Sequence, residues 1–252
     1  MTWTHTSISD LPDDPFLRYA ALPDSLAVTS PLGWAVLLRW RPHGHWGGAA
    51  IVADGAPEHA ESEAFAALAT LAAQRGISVE WFSTAPGREL AMPAGLAQTG
   101  EGRWAFMWTD TVSEQSTPPI TKATFSELDD RRHAAVIESF GRANSEDFEG
   151  FPGHGFATLW LSTSDDHDLA AVGGLHELGS GAPHLAGVVV RRDVRRTGIG
   201  AAITVELTRR AIEQSGVSTL SVYSDNDDAI RLYERLGYRL EHHFHTRAVV
   251  PT

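Results

Sequence analysis

The sequence predicts a mixed α/β fold, a mostly antiparallel sheet flanked by helices, arranged as two tandem halves. Three observations predict it. In the second half, strands that meet as hairpins come first and a strand–helix–strand crossover follows, so a parallel pair must stand beside antiparallel ones. In the first half the same order of elements recurs: Gly76-Ile77-Ser78-Val79 follows a helix as Gly216-Val217-Ser218-Thr219 does. Between them, Ser113 to Pro119 is polar and ends in two prolines, which marks a linker between halves at 1–117 and 118–252.

The 252 residues are 42% hydrophobic and 21% charged, a globular composition able to bury a core without cross-links. Cysteine is absent, which excludes disulfide frameworks, thiolate nucleophiles and cysteine-ligated metal centres. A net charge of -12 disfavours nucleic acid as a partner of the whole surface. No apolar run approaches the roughly 18 residues of a membrane span. Met1-Thr2-Trp3-Thr4-His5 lacks the basic and apolar regions of a signal peptide, so a cytoplasmic protein without membrane partners is expected.

Each element has a local reason. Trp34 to Trp40 and Trp46 to Ala53 look like the two strands of a hairpin. Glu61 to Gln74 is an alanine-rich helix stopped by Gly76, followed by the strand Ile77 to Phe82. Gly87 to Leu96 is expected as a short helix and Gly102 to Thr109 as a strand. In the second half, Ile120 to Thr124 is β-like, and Phe125 to Ala143 has helical apolar spacing at Leu128, Ala135, Val136 and Phe140. Ala157 to Ser162 and Leu169 to Leu178 form a hairpin around Asp165 to Asp168, and His184 to Val190 is a further strand. Ile199 to Gln214 is a helix with Ile203, Leu207, Ala211 and Ile212 on one face and Gly216 as its stop. Thr219 to Tyr223 is a strand, Asp227 to Leu236 a short helix ended by Gly237, and Tyr238 to Val250 is β in two segments.

The chemistry concentrates where the strand ending Val188-Val189-Val190 runs into Arg191-Arg192-Asp193-Val194-Arg195-Arg196-Thr197-Gly198-Ile199-Gly200-Ala201. Glycines at 198 and 200 let a ligand approach the backbone. The first-turn N–H groups of the helix have no internal partners and, with the helix dipole, form an anion site. Four arginines reverse the sign of an otherwise acidic chain at this point. The spacing matches neither the dinucleotide fingerprint nor the P-loop.

A second segment follows the next strand. Arg195-x-x-Gly198-x-Gly200, then Asn226-x-x-Ala229-x-x-Leu232-Tyr233-x-x-Leu236-Gly237-Tyr238, resembles the acetyl-CoA-binding core of the GNAT superfamily of N-acetyltransferases, over roughly residues 120–250. The resemblance implies a GNAT-type sheet, acetyl-CoA as cosubstrate and an amine acceptor, expected to be a small molecule. It implies that Val188, Val189 and Val190 offer backbone groups to the pantetheine arm. The diphosphate would lie on the loop of Arg195, Arg196, Thr197, Gly198, Ile199, Gly200 and Ala201. Asn226 would reach the pantetheine or the acetyl end, and Tyr233 would be the general acid, a task that suits a phenol.

The general base is open. Where relatives often carry glutamate this chain has Ala186; His184, of the same strand parity, is the first candidate, with an ordinary pKa near 6.5. Glu177 and His176 are rivals. His242-His243-x-His245 and His43-Gly44-His45 read as solvated polar positions, and no metal is expected. Asn144 to Phe156 is expected to border the acceptor, with Asp147, Glu149 and His154 available to an amine. Seven of the eight tryptophans precede residue 110, more as core than as a ligand pocket. The first half has Ala53 to Glu61 where the second has its Arg/Gly loop. That stretch is acidic and would repel a diphosphate, so the first half is expected to be non-catalytic and GNAT-like only in fold.

Overall fold

Side chains of neighbouring residues on a strand point to opposite faces, and here each face finds its own helix. The computed structural model describes residues 2–40, 44–112, 124–165 and 168–252. The linker segment Ser113 to Pro119, the strand expected at 120–123, His43 and the turn residues 166–167 lie outside the described residues. In chain order the first half forms β1 (Thr4–Thr6), α1 (Pro15–Ala20), β2 (Leu26–Ser30), β3 (Gly33–Trp40), β4 (His45–Val52), α2 (Ala60–Gln74), β5 (Val79–Thr84) and β6 (Leu96–Thr109). The second forms β7 (Phe125–Leu128), α3 (Ala134–Asn144), β8 (Ala157–Asp165), β9 (Asp168–Glu177) and β10 (Pro183–Val190). It continues with α4 (Ile199–Ser215), β11 (Ser218–Tyr223), α5 (Asp227–Arg235) and β12 (Arg239–Pro251).

The chain divides into two compact units, Met1–Phe106 with Val222–Asp225 and Glu241–Thr252, and Met107–Ser221 with Asn226–Leu240. In the first, β1 to β4 pair antiparallel in sequence order, and β4 pairs parallel with β5. Residues of β12 lie between β5 and β6, with His245 opposite Thr84. Helix α2 buries Ala64, Phe65, Leu68 and Ala72 against Ala35, Leu37 and Ala50. The adjacent strand position, Trp34, faces the other way and stacks on Phe16 of α1, with ring centroids 6.4 Å apart.

The second unit repeats this plan. β7 to β10 pair antiparallel in sequence order, and β10 pairs parallel with β11. A Cβ on Gly173 would meet Leu207 of α4, and one on Gly174 would meet Trp160. Trp160 packs with Ile137 of α3, so α3 and α4 cover opposite faces of this sheet. The shared order β-α-β-β-β-α-β, with one parallel pair at the same place, is the mixed, mostly antiparallel architecture the sequence predicts.

Several expectations need correction. The helix placed at Phe125 to Ala143 begins only at Ala134; Phe125–Leu128 is a strand on β8, and the Asp129 carboxylate accepts from the N–H groups of Arg131 and Arg132 to turn the chain. Gly87 to Leu96 is not a helix, because Pro93 interrupts it and Arg88 is drawn inward to Glu61. The two β segments expected over Tyr238 to Val250 are one continuous strand, β12 (Arg239–Pro251), which lies between β5 and β6. Two of the histidines expected as solvated are not: His245 is buried, and His242 bonds Asp14 at 2.7 Å among Phe16, Trp34 and Phe244, whereas His45 and His243 are exposed. Helix α1, not assigned from the sequence, starts where the Asp14 side chain caps Phe16 and Leu17 and proline takes the first position.

Glu61, in the first turn of α2, has a fully buried side chain and a two-armed ion pair with Arg88, both contacts at 2.7 Å. Arg88 also donates to the carbonyls of Ala56 and Pro57. Arg88→Met leaves that carboxylate buried and alone, so urea unfolding is expected to show a loss of about 3 kcal/mol. A change below about 1 kcal/mol would mean the pair is not needed.

Candidate active site

Parallel strands that cross over through a helix stay zipped unless something breaks their ladder. Here β10 and β11 pair only at His184 with Thr219 and Leu185 with Leu220. Just beyond, the register of β10 on β9 shifts between Ala186 and Val189, and Gly187 takes φ 59°. A side chain there would collide with Gly150, Phe148 and Trp160, at 2.9 to 3.1 Å from its Cβ. The bulge turns Val188, Val189 and Val190 out of the β11 ladder.

The loop that follows is strained toward the helix it opens. Arg196 takes φ 63° and Gly198, the residue before α4, takes φ 96°. Gly198 has no side chain to cap the helix, and the first-turn N–H groups of Ile199, Gly200 and Ala201 have no intrahelical acceptor. A Cβ on Gly200 would lie 3.2 Å from Val190, so this helix end and strand end approach each other closely. Thr197 turns its hydroxyl inward to Val194 O, at 2.7 Å. Arg195 is tied to protein carbonyls: Nε donates to Val190 O at 3.2 Å and Nη2 to Asn144 O. The exposed side chains of Arg192 and Arg196 have no protein partner among the described residues.

The Leu236-Gly237-Tyr238 spacing has a mechanical cause. α5 ends in a Schellman motif: Tyr238 N–H donates to Tyr233 O and Gly237 N–H to Glu234 O, each at 3.0 Å, with Gly237 at φ 101°. The two tyrosine rings meet with centroids 5.7 Å apart. The Tyr238 hydroxyl is buried between Thr208, at 2.8 Å, and Ser218, at 2.6 Å, and desolvation raises its pKa. Tyr233 is thereby fixed to a ring anchored in α4 and β11. Desolvation pushes its own pKa up to about 12, so it holds its proton through the neutral range. Asn226 caps α5, its side-chain oxygen accepting from Ala229 N at 3.2 Å.

The three candidate bases share the β9–β10 end, with His176 opposite His184 and Glu177 opposite Pro183. The Thr219 hydroxyl donates to Pro183 O, so it accepts from Nδ1–H of a neutral His184, at 2.9 Å. Burial, with His176 nearby, drives the His184 pKa down to about 3. His176 is also buried, and its Nε2–H donates to Gly150 O at 3.0 Å. Glu177 is half-exposed.

Residues 122–238 match the family model described as Acetyltransferase (GNAT) family. This stretch is a GNAT acetyltransferase domain. The fold likeness reaches further than the family match. A protein of the GNAT family from Novosphingobium aromaticivorans DSM 12444 is 21% identical with a TM-score of 0.55, covering 81% of this chain and 84% of its own. A GCN5-related N-acetyltransferase from Kribbella flavida is 16% identical at TM-score 0.53, covering 87% and 88%. An acetyltransferase from the GNAT family of Colwellia psychrerythraea is 13% identical at TM-score 0.50, covering 90% and 86%. No curated protein matches the sequence. No helix is long and apolar enough to cross a membrane among the described residues.

The first half lacks each feature that opens the GNAT domain. β3 and β4 pair without a shift from Gly33 opposite Val52 to Trp40 opposite His45. β4 pairs with β5 from Trp46 to Ala49, with a register shift between Trp46 and Gly47 that does not end the ladder, and the Trp81 indole fills the space a Cβ on Gly47 would need. The helix start that would meet a diphosphate carries Glu61 and its ion pair. Elsewhere, a cavity of about 360 Å³ between α3 and the following segment is lined by Glu138, Arg142, Phe148, Phe151 and His154, among others. Phe151 is strained at φ 48°. One group, Asp14, Glu241 and His242, places three potential metal ligands within 4.8 Å, but Asp14 already caps α1 and bonds His242. Tyr238 stands in the sequence motif and Asn144 at the start of the acceptor segment, but neither had a role of its own in the sequence reading, which missed Gly187, whose signal was a glycine inside a β-branched strand.

The depressed His184 pKa fixes a pH dependence. Below about pH 6.5 the unfolded chain takes up this proton and the native chain does not until about 3, so acidification through that window removes stability. His184→Gln is expected to make the melting temperature less sensitive to pH between about 6.5 and about 4. Equal slopes in thermal unfolding of the two proteins would show that His184 titrates normally.

Proposed function

We propose that the second half of the chain transfers an acetyl group from acetyl-CoA to a primary amine, expected on a small molecule, and that the first half is non-catalytic. One observation carries the reading: β10 leaves β11 immediately before an Arg/Gly loop that opens a helix without a cap. That arrangement fits a cosubstrate with a diphosphate and a long polar arm. The edge of Val188 to Val190 that has no β11 partner suits the arm, with Val190 O already accepting from Arg195, and the N–H groups from Arg196 to Ala201 suit the diphosphate. Asn226 has its amide nitrogen left for the arm, since only its oxygen caps α5.

In this reading the amine attacks the thioester carbonyl directly. The N–C bond forms as the C–S bond breaks, Tyr233 supplies a hydrogen bond and then a proton to the departing sulfur, and the amine gives up its proton. His184, neutral and with a pKa near 3, is a poor acceptor for that proton. Glu177 is the better placed carboxylate, directly or through water. The segment Asn144 to Phe156 and the cavity beside it are assigned to the acceptor.

A second reading, a domain that binds CoA without turnover, is favoured by Ala186 and by the low basicity of His184. Thiol release over a panel of amines separates the two. Release above background with at least one amine is expected, and none with any amine, despite CoA binding, leaves only the second reading. Tyr233→Phe should lower kcat about a hundredfold with little change in CoA affinity, and unchanged turnover removes the phenol from the reaction. Gly200→Glu places a carboxylate among the loop amides, so calorimetry should detect no CoA binding by a protein that still melts cooperatively. Wild-type affinity in that variant would move the diphosphate elsewhere.

A further inference from the structure

Asn144 is the last residue of α3 and is nine-tenths buried, yet neither motif of the cofactor site contains it. Three of its polar atoms hold the structure together. Its amide nitrogen donates to Phe140 O at 2.9 Å, its side-chain oxygen accepts from Arg192 N at 3.1 Å, and its carbonyl accepts from Arg195 Nη2. The carbonyl is one of those a helix end leaves unpaired, so the guanidinium lies at the negative end of the α3 dipole. The same guanidinium reaches back through Nε to Val190 O, where β10 ends. Two groups of α3 thus grip both ends of the stretch Arg192 to Arg195, which leads directly into Arg196, strained at φ 63°, and on to Gly198, whose positive φ suits a glycine.

We propose that Asn144 and Arg195 are positioning residues: together they clamp the loop after β10 in the shape that receives the diphosphate, and Arg195 acts through the loop and not on a phosphate. The inference rests on the function proposed above. It separates the arginines by task. All three side chains are exposed, but the Arg195 guanidinium is engaged with Val190 O and Asn144 O, while those of Arg192 and Arg196 have no such partner among the described residues and are left for an anion. It also ties the cofactor loop to the start of the acceptor segment, since Ser145 follows Asn144 directly.

The test uses the full chain and CoA itself as probe, in calorimetry at several salt concentrations. Asn144→Ala changes no charge, yet is expected to weaken CoA roughly tenfold with the salt slope unchanged. Arg195→Lys is expected to bind as poorly as Arg195→Ala, because an ammonium cannot span Val190 O and Asn144 O together. The double variant Asn144→Ala, Arg195→Ala should be no weaker than the poorer single one. Wild-type affinity in Asn144→Ala, or recovery in Arg195→Lys, overturns the clamp, because a phosphate contact needs only the charge. Amide hydrogen exchange on the ligand-free protein gives a second readout. Faster exchange in Asn144→Ala at residues 192–200, with β8 and β9 unchanged, supports the clamp, and unchanged exchange at 192–200 overturns it. Failure of the wild-type protein to bind CoA instead sinks the proposed function, and the clamp's purpose with it.

Discussion

A backbone that leaves its neighbour must find other partners for its N–H and C=O groups. The parting of β10 from β11 after Leu185 is the constraint on which the rest of the GNAT domain turns. It is enforced from one side by a bulge. Gly187 at φ 59° lets Gly150 and the Phe148 ring press against the strand where a side chain would stand. It is enforced from the other end by the Arg195 guanidinium, which holds Val190 O and Asn144 O at once. Between these two fixed points the strand cannot close back onto β11, and the uncapped start of α4 lies directly after it.

The first half shows what the same topology looks like when nothing holds it open. β4 has no bulge on β3, and its parallel ladder with β5 continues to Ala49 opposite Ser83. Glycines occur there too, but Gly47 and Gly48 make room for Trp81 and Phe82, side chains of the neighbouring strand, and so help to fill the sheet. At the start of α2 the anion is internal. The Glu61 carboxylate takes the favourable end of the helix dipole and Arg88 neutralises it. Two halves with one order of elements therefore differ in whether a helix start and a strand gap are left for something else.

Periodicity made most elements legible, and the motif that opens α4 was legible because its residues are chosen for backbone geometry, not for packing. Gly198 and Gly237 mark positive φ values that the sequence spells out. Legibility failed where tertiary partners decide. Phe125 to Leu128 has helical spacing but pairs with β8, and Arg88 leaves a helix-like stretch to reach a buried carboxylate. β1, α1 and β2 were not assigned from the sequence, although Asp14 and Pro15 form a local start for the helix. Residue roles were the least visible. That His184 is neutral follows from its burial and from Thr219, which gives its proton to Pro183 O, and that Arg195 is engaged with the protein follows from a carbonyl far along the chain, at Asn144. No spacing rule contains that information.

Charge gives a last check on the arrangement. The protein carries -12, and its proposed donor is itself an anion, so long-range attraction cannot recruit it. At physiological salt, however, charges beyond about 8 Å are largely screened, and a ligand at the loop experiences mainly what lies within that distance. Asp193 is turned onto Arg191, with its carboxylate held well below the usual range by that guanidinium, which removes one acidic group and one basic group from the local account. Arg195 is spent on protein carbonyls but keeps its charge, and Arg192 and Arg196 are exposed. The local field is therefore positive without any ion pair having to break. An anion bound at this loop, as proposed, would not have to break an ion pair of Arg192 or Arg196, so the acidity of the whole protein does not count against the proposal.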